Sequence, residues 1–263
     1  MNVKYLYLAV AMIALYATTR YENQGSASSG SWTPASARGP AVLTDTANES
    51  EVIGSVTLSG PGPKNSAINM AADPLCAKLH TRPVMTEELV LSSGNALANA
   101  VVYVSEGLGD RAFDTPKQPA VLEQTGCQYR PHIIALMAGQ KLLVENGDPT
   151  THNIHPVPLN NREWNQSQAQ GVPPIEATFG REEISIPVKC NIHAWMKGYI
   201  AVFKHPYFAV TGSDGAFVLK DLPPGNYTIT AWQERFGTLT QKVTIAPKEE
   251  KRVEFIFKPQ GGG

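Results

Sequence analysis

The chain has 263 residues, 42% of them hydrophobic, and a formal net charge of −1. That length admits one large core or two small ones. The near-neutral balance, with no basic stripe, gives no footprint for nucleic acid as a partner. The 22 Gly and 20 Pro, set among short runs of Val, Ile, Thr and Tyr, point to an all-β chain with turn-rich connections and little helix.

Residues 1–20 open with Lys4 as a small positive region, and Tyr5 to Ala17 is almost wholly apolar. The run is short of the roughly 20 residues a membrane span needs, and it reads as an export signal, with an uncleaved N-terminal anchor as the alternative. Either reading places the rest of the chain outside the cytoplasm, periplasmic or secreted, with a membrane tether if the anchor stays. Residues 21–50, rich in Ser, Ala, Gly and Thr, read as a flexible linker.

The folded part begins with a strand over 51–59, stopped by Gly60-Pro-Gly-Pro63. An irregular stretch from Ile68 to Met85 holds Cys76 and His80, and Thr86 to Leu91 is the one predicted turn of helix. Further strands are expected at 97–104, 130–136, 141–145, 183–188 and 197–203, with a long polar loop from Asn160 to Phe179. Asn146-Gly-Asp148-Pro149 is a strong turn signal, with His152 just beyond it. After Pro206 come short strands at close spacing, near 207–211, 216–220, 227–232, 238–245 and 252–257, separated by Gly/Pro turns. They predict a small antiparallel sandwich.

The stretch Cys190-Asn-Ile-His193-Ala-Trp-Met196 carries the chemistry. It sets a thiolate, an imidazole and a thioether at spacings of three and three. With a second imidazole these are the donors of a mononuclear blue-copper site. Thr151-His152-Asn153-Ile154-His155 offers that imidazole. In a strand the rings of His152 and His155 face opposite ways, so only one can be a direct ligand; the other is left for an outer role with Asn153.

In order and spacing, Gly139, Glu145-Asn146-Gly-Asp148, His152-Asn153 and Cys190-x2-His193-x2-Met196-x-Gly198 resemble a cupredoxin of the short-loop, amicyanin type. Thr211-x-Ser-Asp214-Gly215-x-Phe217 and Leu222-Pro-Pro-Gly225-x-Tyr227 are similar to carboxypeptidase regulatory-like modules of the transthyretin or carbohydrate-binding type. Gly54-Ser-Val56 and Asn99-Ala-Val-Val-Tyr-Val104 fit the two opening strands of that second module. The implied organisation is a Greek-key cupredoxin at 120–204 inserted into a β-sandwich made of 51–105 and 206–258, with a tail at 259–263. Two modules in series is the alternative, and consecutive elements do usually stay adjacent.

The resemblance implies one type 1 copper held by His152, Cys190, His193 and Met196, with His193 partly exposed where electrons enter or leave. It implies a one-electron carrier, not an enzyme, between redox proteins such as a cytochrome or a dehydrogenase. Copper storage or delivery is a second reading, and a carbohydrate- or protein-binding surface module with a non-redox metal site is a third. Cys76 and Cys127 are candidates for a disulfide, which a compartment outside the cytoplasm permits. Free thiols, or a zinc site from Cys76-x3-His80 and Cys127-x4-His132, stay open beside it. His205 reads as an ordinary loop residue.

Overall fold

A computed structural model describes residues 49–259. The expected signal or anchor, nearly all of the linker and the tail beyond Pro259 lie outside the described residues. Ser50, assigned above to the linker, already opens the first strand.

In chain order the elements are β1 (Ser50–Leu58), α1 (Pro74–Lys78), β2 (Val101–Glu106), β3 (Ala120–Thr125), β4 (Gln128–Arg130), β5 (Ile133–Met137), β6 (Lys141–Asn146), β7 (His152–Pro156), β8 (Gln166–Gln168), β9 (Ile175–Thr178), β10 (Glu183–Lys189), β11 (Lys197–Phe203), β12 (Phe208–Val210), β13 (Ala216–Leu222), β14 (Gly225–Gln233), β15 (Gly237–Ile245) and β16 (Glu250–Phe257). The chain is all-β, as its composition implies, and the strands form four sheets among the described residues.

Two of these sheets, β13-β1-β16 and β12-β2-β14-β15, draw on strands before Gly107 and after Tyr207. Strand period decides what they bury: Val52, Val56 and Leu58 of β1 and Val253, Phe255 and Phe257 of β16 point into one core with Leu97, Val102 and Ile229. All pairs here are antiparallel except β1 and β16, which run parallel from Glu51 to Leu58. A parallel pair needs a long crossover, and nearly the whole described chain separates these two strands.

The other two sheets, β5-β11-β10-β7-β8 and β4-β3-β6-β9, enclose a second core that includes Leu122, Tyr129, Leu142, Ile154, Ile186 and Ile200. Strand β11 is buried on both faces: Ile200 and Val202 face this core, whereas Ala201 and Phe203 face a seam with Val101 and Phe208. That explains why Tyr199-Ile-Ala-Val-Phe203 reads as a continuous apolar run and does not alternate. At the seam the rings of Phe203 and Phe208 stack with centroids 4.5 Å apart. Nearby, His132 and Glu234 form a buried pair at 2.5 Å, each side chain 6% exposed.

Three expectations need correction. Thr86–Leu91 is not helical; the α-helix among the described residues is α1, because Asp73 caps it through the N–H groups of Leu75 and Cys76 and Pro74 supplies a first-turn φ. The polar stretch 160–179 holds β8 and β9, and Gln168 buries its side chain against Gln124 at 2.7 Å. Finally, 51–105 does not pack as one piece with the second sandwich. Met70 and Cys76 are buried in the β3–β11 core, with Ile68 and Val84 packed against it.

Candidate metal centre

Strand β7 follows the Asn146–Pro149 turn, where the Asn146 side-chain oxygen accepts from the Asp148 N–H at 3.0 Å. It pairs antiparallel with β10, placing His155 opposite Lys189 and Pro156 opposite Val188. The start of β7 therefore lies beside the loop leaving β10. That loop closes on itself: the Met196 N–H donates to the His193 carbonyl at 2.9 Å and the Cys190 N–H to the Met196 carbonyl at 3.2 Å. Strand β11 then returns antiparallel, Lys197 opposite Lys189.

These pairings bring His152, Cys190 and His193 together, their donor atoms all within 4.8 Å of one another. The Nδ1 atoms of the two rings face each other at 2.9 Å, and Cys190 Sγ lies 3.9 Å from His193 Nδ1. His152 is 0% exposed, Cys190 3%, His193 2% and Met196 1%. His193, expected to present an edge to solvent, is thus buried. Trp195 lies against its ring with centroids 4.9 Å apart, and α1 with its cap covers the outer side.

The outer nitrogens explain the facing pair. His152 Nε2 donates to Asp148 Oδ2 and His193 Nε2 to Asp73 Oδ2, both at 2.8 Å. Hydrogen bonds from His193 and from the Leu75 and Cys76 N–H groups hold Asp73 below the usual carboxylate range against its small desolvation. For Asp148, burial pushes upward, but His152 and the Cys127 and Gly126 N–H groups outweigh it. An ionised carboxylate only accepts, so each imidazole keeps its proton on Nε2 and turns a lone pair inward. Two lone pairs 2.9 Å apart need a cation between them. Without metal that cation is a proton: burial lowers His152, but Asp148 and Cys190 raise it to about 8.

Cys190 completes the donor set. Burial pushes its thiol up, but His152 and the N–H groups of Asn153, His193 and Ile192 more than offset this, and the net shift is downward. Its Sγ accepts from the Asn153 N–H at 3.5 Å and the His193 N–H at 3.3 Å. The Asn153 side-chain oxygen accepts from Asn191 and Ile192, tying β7 to the Cys190 loop. A buried sulfur whose thiol is held below its usual range and two inward imidazoles, with the thioether Met196 in the same core, suit copper.

His155 turns away, as opposite faces require: its nitrogens meet Asn191 Oδ1 at 3.1 Å and Glu163 Oε1 at 2.6 Å. Cys76 and Cys127 are joined in a disulfide, which removes both from a zinc site. Its proposed imidazoles are also engaged elsewhere, His80 with the Gly126 carbonyl and His132 with Glu234. Sequence reasoning missed Asp73, Asp148 and Tyr129, whose hydroxyl donates to the Asn153 carbonyl at 2.6 Å. Asp148, four residues before His152 in a turn, carried a spacing signal; Asp73-Pro74 signals a helix start but not its destination.

Residues 200–258 match the family model of the carboxypeptidase regulatory-like domain. No curated protein matches the sequence. Among solved structures, the chain is similar to a copper-containing nitrite reductase from Thermus scotoductus SA-01, with 17% identity over 38% of this chain and a TM-score of 0.31. It spans 26% of that enzyme. It is also similar to a purple cupredoxin from Nitrosopumilus maritimus, with 21% identity, 32% of this chain, 98% of that chain and a TM-score of 0.28. An oxidised single-substitution variant of amicyanin matches with 14% identity, 38% of this chain, 97% of that chain and a TM-score of 0.29. The chain is thus similar to the carboxypeptidase regulatory-like model over residues 200–258, and cupredoxins are among the solved structures similar to it.

Proposed function

We propose that this protein is an exported carrier of single electrons with one type 1 copper site, its ligands His152, Cys190, His193 and Met196. The observation that carries the reading is the buried pair of inward Nδ1 atoms 2.9 Å apart, with Cys190 Sγ 3.9 Å from one of them. Copper bound there would supply the one-electron couple. The chain supplies the rest. N–H donors hold Cys190 toward its thiolate form, Asn153 locks the two ligand-bearing segments together, and Trp195 and the α1 cap keep water from His193. Burial of all four side chains favours a carrier over storage or delivery, which need an opening for the metal, and over a copper enzyme, whose substrate must touch the site.

The Cys76–Cys127 disulfide supports a compartment outside the cytoplasm, with residues 1–20 as the export signal or a tether. The partner is then another redox protein, a cytochrome or a dehydrogenase. We read 120–204 as a cupredoxin set into the second sandwich; the pairing of β1 with β13 and β16, and of β2 with β12 and β14, supports that nesting. Loading the purified protein with Cu(II) should give an intense thiolate-to-copper visible band and a narrow copper hyperfine splitting. Cys190→Ser should abolish the band. Cu(II) binding without such a band would end the reading.

A further inference from the structure

The two carboxylates behind the imidazoles are built alike, and one disulfide joins their supports. Asp73 Oδ1 accepts from the N–H groups of Leu75 and Cys76, while its Oδ2 takes His193 Nε2 and the Thr150 hydroxyl. Asp148 accepts from the N–H groups of Gly126 and Cys127, both at 2.7 Å, and takes His152 Nε2. Each carboxylate therefore rests on the backbone N–H of one half-cystine. Cys76 Sγ also lies 3.9 Å from His193 Nε2.

The second support is costly to make. Gly126 and Cys127 are the central residues of the two-residue turn between β3 and β4, where Thr125 pairs with Gln128. Both have positive φ, 62° and 52°. A turn of this kind demands that conformation; for a residue with a Cβ it is strained. The strained conformation aims two adjacent N–H groups at one carboxylate.

We propose that Asp73, Asp148 and the Cys76–Cys127 disulfide form a clamp that fixes the spacing of the two imidazoles and keeps both Nδ1 lone pairs inward before a metal arrives. The inference rests on the copper reading for its purpose but not for its test. Asp73 and Asp148 are positioning residues. They do not touch the metal; they decide which nitrogen of each ring is offered. Carboxylates behind metal-bound imidazoles commonly change metal affinity 10–100-fold when removed.

Asp73→Asn gives the sharpest test. The Leu75 and Cys76 N–H groups keep the amide oxygen on their side, so the amide NH2 faces His193 Nε2 and donates to it. That drives the ring proton onto Nδ1. Imidazole nitrogen resonances of the metal-free protein, recorded in strongly alkaline buffer, should show His193 protonated on Nε2 in the wild type and on Nδ1 in Asp73→Asn. Cu(II) affinity of the variant should fall about 10–100-fold. Asp148→Asn should do the same to His152, which covers a failure of Asp73→Asn to fold. Cys76→Ser/Cys127→Ser should weaken copper binding with all direct ligands intact. Unchanged tautomers and affinities within twofold in the Asn variants would overturn the clamp, and wild-type affinity in the double Ser variant would overturn the disulfide's part in it. A tautomer change in a protein that gives no blue band would sink the copper reading and keep the clamp.

Discussion

The two sandwiches fill their cores differently. In the core of β1, β2 and β12–β16, Val52, Val56, Leu219, Phe217, Phe255 and Phe257 close around one another, and the polar side chains buried on that side, Ser50, Thr211, Thr230 and Gln233, carry no charge. The β3–β11 sandwich buries Gln124, Asp148, His152, Asn153, Gln168 and His193 among comparable apolar residues. Burying polar groups costs free energy unless they are hydrogen-bonded, so the second arrangement is the harder to build. The chain accepts that cost on the side where charge has to be held and leaves the other side as a support. Removal of apolar volume should therefore act chiefly on stability in the support, and removal of single polar atoms chiefly on the site.

The largest expected effect tests the support. Phe255 is 1% exposed at the centre of β16, its ring 6.1 Å from that of Phe217. Phe255→Ala should cost about 3–5 kcal/mol from lost transfer and the cavity left behind, measured by denaturant unfolding. The visible spectrum of the folded, copper-loaded fraction should not change. A shifted spectrum would mean that the support shapes the site, and the division of labour would fail.

Much of this division was legible in the sequence. The Cys190–Met196 spacing supplied the donor types, strand period separated His152 from His155, and 197–203 read as a strand. What was not legible depends on distant segments meeting. Asp73 lies 120 residues from His193 in the chain, in a stretch that read as irregular, because a five-residue helix defined by one cap leaves almost no periodicity. Gln168 sits in a polar loop by composition, yet it is buried because Gln124 and the carbonyls of Val144 and Pro173 satisfy it. The burial of His193 was missed for the same reason: the expectation of an exposed edge came from the resemblance, and the cover comes from the distant Asp73 cap of α1.

An intermediate effect tests the polar side. Tyr129 is 1% exposed, and burial, with the Cys190 thiolate nearby, pushes its hydroxyl pKa up, so it stays a donor to the Asn153 carbonyl. Tyr129→Phe removes that donor and leaves a buried carbonyl unpaired, at roughly 1–3 kcal/mol. Asn153 is also the residue whose side chain binds Asn191 and Ile192. The variant should therefore shift the visible band or the reduction potential, which Phe255→Ala should not. Equal spectra in the two variants would erase the contrast.

The smallest effect lies at the seam. His205, expected to be an ordinary loop residue, is 7% exposed among the rings of Phe113, Phe203 and Tyr207. Its Nδ1 accepts from the Tyr207 N–H at 3.2 Å, a bond that needs a neutral ring nitrogen. Burial lowers its pKa below 6.5, with Glu182 and a contact at Val104 only partly opposing. A depressed folded-state value means that the unfolded chain takes the proton first. The stability contributed by neutral His205 is therefore complete above 6.5, is lost as pH falls through that value, and levels off below the folded-state value. The unfolding free energy of the wild type minus that of His205→Gln, whose side chain does not titrate, should decline over that acid window. A flat difference would show that the seam tolerates a charged ring, and that the polar tolerance of the β3–β11 sandwich extends across to its support.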